Sequence, residues 1–441
     1  MKLNVKQTFL VGLAFMSICA FWNLYDNMVP LILDQTYGLG ETWTGAVMAM
    51  DNIAALFLLP FFGALSDRKG RRIPFILWGS MAAAGLSVVL TLVVRKGAAA
   101  PVMGQGLGGF LAVLALLLIA MGTYRSPAVA LMPDVTPKHL RSKGNAIINL
   151  MGAIGGALML VLPKFLVQRI TTGSGTEAGD YTWLFVTVAG IMIASAWVVK
   201  LVIPEKRLKA EADAINEARE ADQAPAQSTA DSGSPARKLG KDELRSLVFI
   251  LMSVFLWYMA YNAITTAFSR YALKVWNIDE GDASFCLLVA TAAAIVSYWP
   301  VGIVSSKIGR KKVILAGVAL MVIGFAGGFL LPGLSALAFA AFGLVGIGWA
   351  AINVNSYPMV VEMATGSDVG KYTGYYYTFS MAAQVLTPVL SGALLEYVGY
   401  WTLFPYALVM ACAAFGTMLM VHHGDSKPEA KKGLEALDVE D

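Results

Sequence analysis

The sequence predicts an all-α membrane protein: twelve transmembrane helices in two pseudo-symmetric bundles of six. Three observations carry that expectation. Of the 441 residues, 57% are hydrophobic and only 14% charged, against roughly 25% charged in soluble domains. Twelve apolar runs, each close to the ~20 residues that cross a hydrocarbon core, follow one another with short polar breaks. The first six runs are echoed by the second six at three places in the same order.

The first run, 8–33, follows "MKLNVK" and is too long for a signal-peptide core, so it reads as a spanning helix. Five more follow at 42–65, 73–94, 106–131, 144–167 and 181–203. The second set lies at 245–272, 281–305, 312–331, 333–361, 371–395 and 399–422. The chain thus divides into an N-terminal bundle (1–203), a linker (204–243), a C-terminal bundle (244–423) and a tail (424–441). The linker opens as a charged surface helix, "EKRLKAEADAINEAREADQ", and continues in a polar stretch without core-forming residues. With both termini inside, 26 of the 33 Lys and Arg fall on cytoplasmic segments. The positive-inside rule therefore places both termini in the cytoplasm; a cell inner (plasma) membrane and a monomer are expected.

Composition also excludes functions. The basic residues sit in short clusters between spans, which offers no nucleic-acid surface. Cys19, Cys286 and Cys412 have unrelated spacings, so they form neither a disulfide framework nor a metal site. The three histidines lie in loop or tail sequence, and no nucleophile stands at a recognisable spacing from a base. An enzyme, a metal site and a bound cofactor are not expected.

The internal echo is specific. "FWNLYDN" (21–27) matches "LWYMAYN" (256–262), "GALSDRKGRR" (63–72) matches "GIVSSKIGRK" (302–311), and "PAVALMPD", ending at Asp134, matches "YPMVVEM" around Glu362. A parallel repeat of this kind places a substrate site between the halves. "GALSDRKGRR" resembles the signature loop of the major facilitator superfamily. That resemblance implies the major facilitator fold and a latch at the inner face made by Asp67, Arg68 and Arg72, with Asp134, Arg141, Arg310 and Glu362 as further gating residues. Ser306 stands where Asp67 stands in the first half, so the second latch is expected to be weaker.

"YRSPAVALMPDVTPKHLRSKGNAIINLMG" (124–152) resembles the glycoside–pentoside–hexuronide:cation symporters, in particular their sucrose-transporter-like bacterial branch. The resemblance implies import of a sugar, most simply a disaccharide or other glucoside, driven by a cation. The paired acids of the melibiose branch would fall on Ala55 and Leu59, so a paired-carboxylate sodium site is missing and the proton is the better candidate.

Which residues would couple and bind? "VMAMDNIAALFLLPFFG" (47–63) carries Asp51 deep in the second span, where an ionised side chain costs about 3 kcal/mol or more. Arg125 is equally deep in the fourth span and Asp26 lies deep in the first. A carboxyl that alternates between apolar surroundings and a guanidinium can take up and release a proton, so Asp51, Asp26 and Arg125 are the expected coupling group. The alternative is a permanent structural Asp51–Arg125 ion pair. Ligand contacts are expected from Asn27, Asn145 and Asn149 in the first half. In the second they are expected from Tyr258, Tyr261, Asn262, Trp349, Asn353, Tyr357, Tyr377 and Gln384. Aromatic faces beside amides suit a neutral polyol, whereas Gly152 and Gly156 read as close-packing positions. A proton-coupled exporter of another small molecule, and a non-transporting nutrient sensor, are the alternatives.

Overall fold

The computed structural model describes residues 4–137, 140–223, 240–363 and 369–424. Among them are twelve helical stretches long and apolar enough to cross a membrane. The first half comprises α1 (Val5–Gln35), α2 (Glu41–Lys69), α3 (Ile73–Ala98), α4 (Leu107–Asp134), α5 (Arg141–Val161) with the short α6 (Pro163–Leu166), and α7 (Thr182–Val202). After α8 (Glu205–Gln223) come α9 (Lys241–Tyr271), α10 (Glu280–Ile308), α11 (Arg310–Leu330), α12 (Ala336–Val361), α13 (Val369–Tyr397) and α14 (Leu403–Leu419). A π turn, Ala272–Trp276, prolongs α9, and a 3-10 turn, Tyr400–Thr402, leads into α14.

Most helices run past their apolar stretches because helical hydrogen bonding continues into polar flanks where a cap is available. Asn4 caps α1 by accepting from the Gln7 amide (3.2 Å), and Asp279 caps α10 by accepting from the Asp282 amide (2.7 Å). The linker begins as the expected charged helix, α8. Residues 224–239 of the linker and 425–441 of the tail lie outside the described residues.

A short hairpin between α6 and α7 is the element the sequence did not announce. β1 (Gln168–Thr171) pairs antiparallel with β2 (Glu177–Asp180), with Gly175 in the turn at φ +85°. Its strands are short and mostly polar, so no alternating pattern marks them. Gln35 anchors the hairpin by accepting from the Gly179 amide (2.9 Å) and the Tyr181 hydroxyl (3.0 Å).

The chain forms two compact units. In the first, residues 1–38 and 53–232, α1 packs on α5, α7 and α4, and α3 packs on α4 and α7. The second, 39–52 and 233–441, repeats this pattern: α9 packs on α13, α14 and α12, and α11 on α12 and α14. The sequence repeat is therefore a repeat of packing. Helix α2 starts in the second unit and continues into the first from Ile53 onward.

Glycines set the closest approaches. A Cβ on Gly152 would lie 2.5 Å from the Phe15 ring, and one on Gly156 would lie 2.7 Å from the Asn23 amide. These α5 glycines let α1 pack against them, as their spacing predicts.

Candidate functional site

Three sets of residues come together, each inside one unit. The first surrounds Arg72, at the turn between α2 and α3. Gly70 takes φ +62° there, which lets the chain reverse within a few residues. The Arg72 guanidinium donates to the Asp134 carboxylate (Nε to Oδ2, 2.9 Å), to the Asp67 carboxylate and to the Ser66 hydroxyl. Burial works against its charge, but the hydrogen bonds and negative charge of Asp134 and Asp67 outweigh that effect. Arg72 therefore holds its proton more tightly than a solvated arginine does. Arg68 stays on the surface, with no ion pair to a carboxylate among the described residues.

Sequence reading missed the next member of this group. Glu205, buried at the start of α8, accepts from the backbone amides of Arg72 and of Ile73 (3.1 Å for the latter). It supplies acceptors for amide groups at the start of α3, which an α-helix leaves without intrahelical partners. Nothing in the sequence distinguishes it from the other acids of the linker.

The pseudo-equivalent pair in the second unit is simpler. Arg310 donates to Glu362 at the end of α12. The side chains of Ser306 and Arg141 lie outside the described residues, so the structure adds nothing to the expectations made for them.

The second set is aromatic. Tyr261 of α9 and Trp349 of α12 stack with ring centroids 3.8 Å apart and planes 2° from parallel, and Tyr258 meets Trp349 edge-on at 5.2 Å. One face of each stacked ring is thus occupied by the other. All three residues remain partly exposed, and Asn262 and Asn353 on the same two helices are partly exposed as well. Further along α12, Tyr357 lies 6.1 Å from Tyr377 of α13, with Tyr376 against both. The Gln384 amide reaches back to the Ser380 carbonyl (3.4 Å).

In the first unit, the Arg125 guanidinium lies 5.0 Å from the Trp22 ring, a cation–π arrangement. The Trp22 indole N–H is buried and has no acceptor among the described residues. Asn27 back-bonds to the Asn23 carbonyl (2.8 Å). Asp26 of α1 and Asn149 of α5 are partly exposed. The Asn145 side chain lies outside the described residues.

Asp51 falls in the segment of α2 that belongs to the second unit, one residue before that segment ends. It accepts from the neighbouring Asn52 amide at 2.9 Å. The same α2 segment carries a third, unforeseen cluster. Glu41, at the helix start, pairs with Arg270 of α9 (3.1 Å) at side-chain exposures of 6% and 4%. It also accepts from the Tyr400 hydroxyl and lies 3.6 Å from the Lys274 ammonium. Glu396 accepts from the Thr42 amide (2.8 Å). Glycines permit this seat: a Cβ on Gly45 would collide with the Pro388 carbonyl, and one on Gly392 with the Glu41 carbonyl. Arg270 was visible only as an arginine inside an apolar run.

The family model of the Major Facilitator Superfamily matches residues 11–296 and 250–438. The multidrug resistance protein MdtG of Klebsiella pneumoniae is 32% identical over 152 residues, 34% of this chain. The ectoine/proline transporter ProP of Corynebacterium glutamicum is 27% identical over 168 residues, 38% of this chain. The chain spans only 32% and 31% of the lengths of these two relatives. Among solved structures, a mutant form of the nucleoside transporter NupG superposes with a TM-score of 0.66 at 14% identity, covering 95% of this chain and 100% of that one. A D-xylose–proton symporter gives 0.65 at 14% identity over 93% and 96%. At that identity the structures speak for the fold alone.

Proposed function

Because the chain belongs to the major facilitator superfamily, whose members are membrane transporters and not enzymes, we propose that it imports a sugar together with a proton by alternating access. Its finer place is the sucrose-transporter-like branch of the glycoside–pentoside–hexuronide:cation symporters, on the strength of the stretch 124–152. Both termini lie in the cytoplasm of the inner membrane, a reading supported by the Lys and Arg distribution.

The observation that carries the sugar reading is the aromatic and amide surface of α9 and α12. Tyr258, Tyr261 and Trp349 leave ring edges and outer faces partly exposed. Asn353 is partly exposed as well, and so is Asn262, whose amide N–H donates to the Tyr258 carbonyl (2.8 Å) and leaves its amide oxygen as the acceptor. Such a surface covers the apolar face of a pyranose and hydrogen-bonds its hydroxyls without attracting charge. Asp51 or Asp26 carries the proton, and Arg125, Asn27 and Asn149 support the first unit's part of the pathway. Arg72 with Asp67 and Asp134, and Arg310 with Glu362, hold the cytoplasmic ends of the helices.

The test is sugar-triggered alkalinisation of lightly buffered cells that express the protein, with sucrose, maltose, trehalose, melibiose and glucose. A pH rise with one sugar, abolished in Asp51→Asn and Asp26→Asn combined, is the expected result. No rise with any sugar, despite protein in the membrane, overturns this reading for the panel. A second reading, proton-driven export of an amphipathic compound, is favoured by the local match to the multidrug resistance protein. It predicts reduced accumulation of a lipophilic dye in expressing cells, with no response to any of the sugars.

A further inference from the structure

Beside the Arg72 cluster lies a separate groove of about 760 Å³ that the transport reading does not use. Lys69, Gly70 and Arg71 of the α2–α3 turn, Pro74, Phe75 and Trp78 of α3, Thr123 of α4, and Lys206 of α8 line it, all in the first unit. Three cations therefore converge on one recess. Unlike Arg72, none of the three has an ion pair to a carboxylate among the described residues. The Lys69 ammonium lies 5.6 Å from the Phe75 ring, on the apolar floor. Trp78 is 68% exposed and stands five residues into α3, about 8 Å along the axis from its start. Charge at one end and exposed aromatic surface at the other, at the depth where tryptophans settle in membranes, is the profile of a phospholipid.

We propose that this groove binds the phosphate and glycerol of an anionic membrane phospholipid. The phosphate sits among Lys69, Arg71 and Lys206, and the glycerol and upper acyl chain lie on Phe75 and Trp78. A free phosphate would use the cations but has no use for the aromatic floor, so the occupant is a lipid. Assigning it to the cytoplasmic leaflet rests on the orientation proposed above; the binding itself does not. The bound lipid would bridge the α2–α3 turn to α8, the two elements that Glu205 already joins through the Arg72 and Ile73 amides. Lipid composition would thereby bear on how firmly that turn is held.

Each basic residue near an anionic lipid surface strengthens association by roughly fivefold, so losing three should weaken it by about a hundredfold. The experiment purifies the full-length protein in detergent, adds phosphatidylglycerol or phosphatidylcholine, and counts retained lipid by native mass spectrometry alongside the thermal midpoint. The wild type should retain phosphatidylglycerol roughly tenfold better than phosphatidylcholine, or more, and melt higher with it. The triple variant Lys69→Gln, Arg71→Gln, Lys206→Gln should lose that preference, and Lys69→Arg, Arg71→Lys, Lys206→Arg should keep it. A control, Lys241→Gln, Lys307→Gln, Lys312→Gln, removes the same charge elsewhere and should behave as wild type. Equal retention of both lipids by the wild type, or equal loss in the control and groove variants, overturns the site. Equal stabilisation by inorganic phosphate overturns its assignment to lipid.

Discussion

Glu41 and Arg270 are oppositely charged, paired and deeply buried, and the value of each depends on the other. Removing water from two charges costs several kcal/mol per ion, which their attraction offsets only while both are present. Arg270→Leu should therefore destabilise the protein by about 3–5 kcal/mol, because Glu41 is left buried without its main counter-charge. Glu41→Leu with Arg270→Leu should recover at least half of that loss, read from unfolding in mixed micelles. If the double variant is as unstable as the single one, the pair is not the source of the effect. Glu205 works differently: its carboxylate is bound to backbone amides, in the manner of a cap. Glu205→Ala should cost about 1–2 kcal/mol, and Glu205→Gln should cost less because the amide oxygen still accepts. Equal losses for both variants would show that the negative charge, and not the hydrogen bonds, does the holding.

At the scale of the element, the seat of α2 against α13 rests on missing side chains. Gly45 and Gly392 bring the two backbones together where any Cβ would strike a carbonyl, so Gly45→Val must push the start of α2 off α13. Overpacking of this kind costs about 1–3 kcal/mol. Thr44 is fully buried beside it, so a Thr44→Cys reporter should react with maleimide several-fold faster when Gly45→Val is added. Unchanged labelling would mean that the crossing tolerates the side chain. Much at this scale was legible in the sequence. The twelve spans follow from the thickness of a bilayer, and the α2–α3 turn from one short motif, 63–72, with its echo. The hairpin was not legible, because short polar strands held by Gln35 leave no pattern. Nor was the Glu41 cluster, since its acid stands at the edge of an apolar run and its arginine lies in the other half of the sequence. Pairings of that kind are set by the tertiary fold, and a single sequence records only the unexplained charges.

For the whole molecule, the repeat offers an internal comparison. Each unit packs its helices in the same pattern, yet the α2–α3 and α10–α11 loops are not equally furnished. Arg72 is bound by Asp67, Asp134 and Ser66, and its own amide by Glu205. Arg310 has Glu362. Within the first group the partners also differ, for Asp67 is 62% exposed and Asp134 24%. Water screens the first contact strongly and the second less. Arg72→Gln, which leaves Asp134 with a lost charge partner, should therefore cost about 2–3 kcal/mol. Arg310→Gln should cost about 1 kcal/mol or less, the range of a partly exposed pair. Asp134→Asn should resemble Arg72→Gln more closely than Asp67→Asn does. If, on the orientation and import proposed above, these loops hold the cytoplasmic ends of the helices, the same ordering should appear in transport: uptake should fall most in Arg72→Gln, less in Asp67→Asn and least in Arg310→Gln. Equal effects of Arg72→Gln and Arg310→Gln, in stability and in uptake alike, would mean that the two halves are functionally symmetric despite their different chemistry.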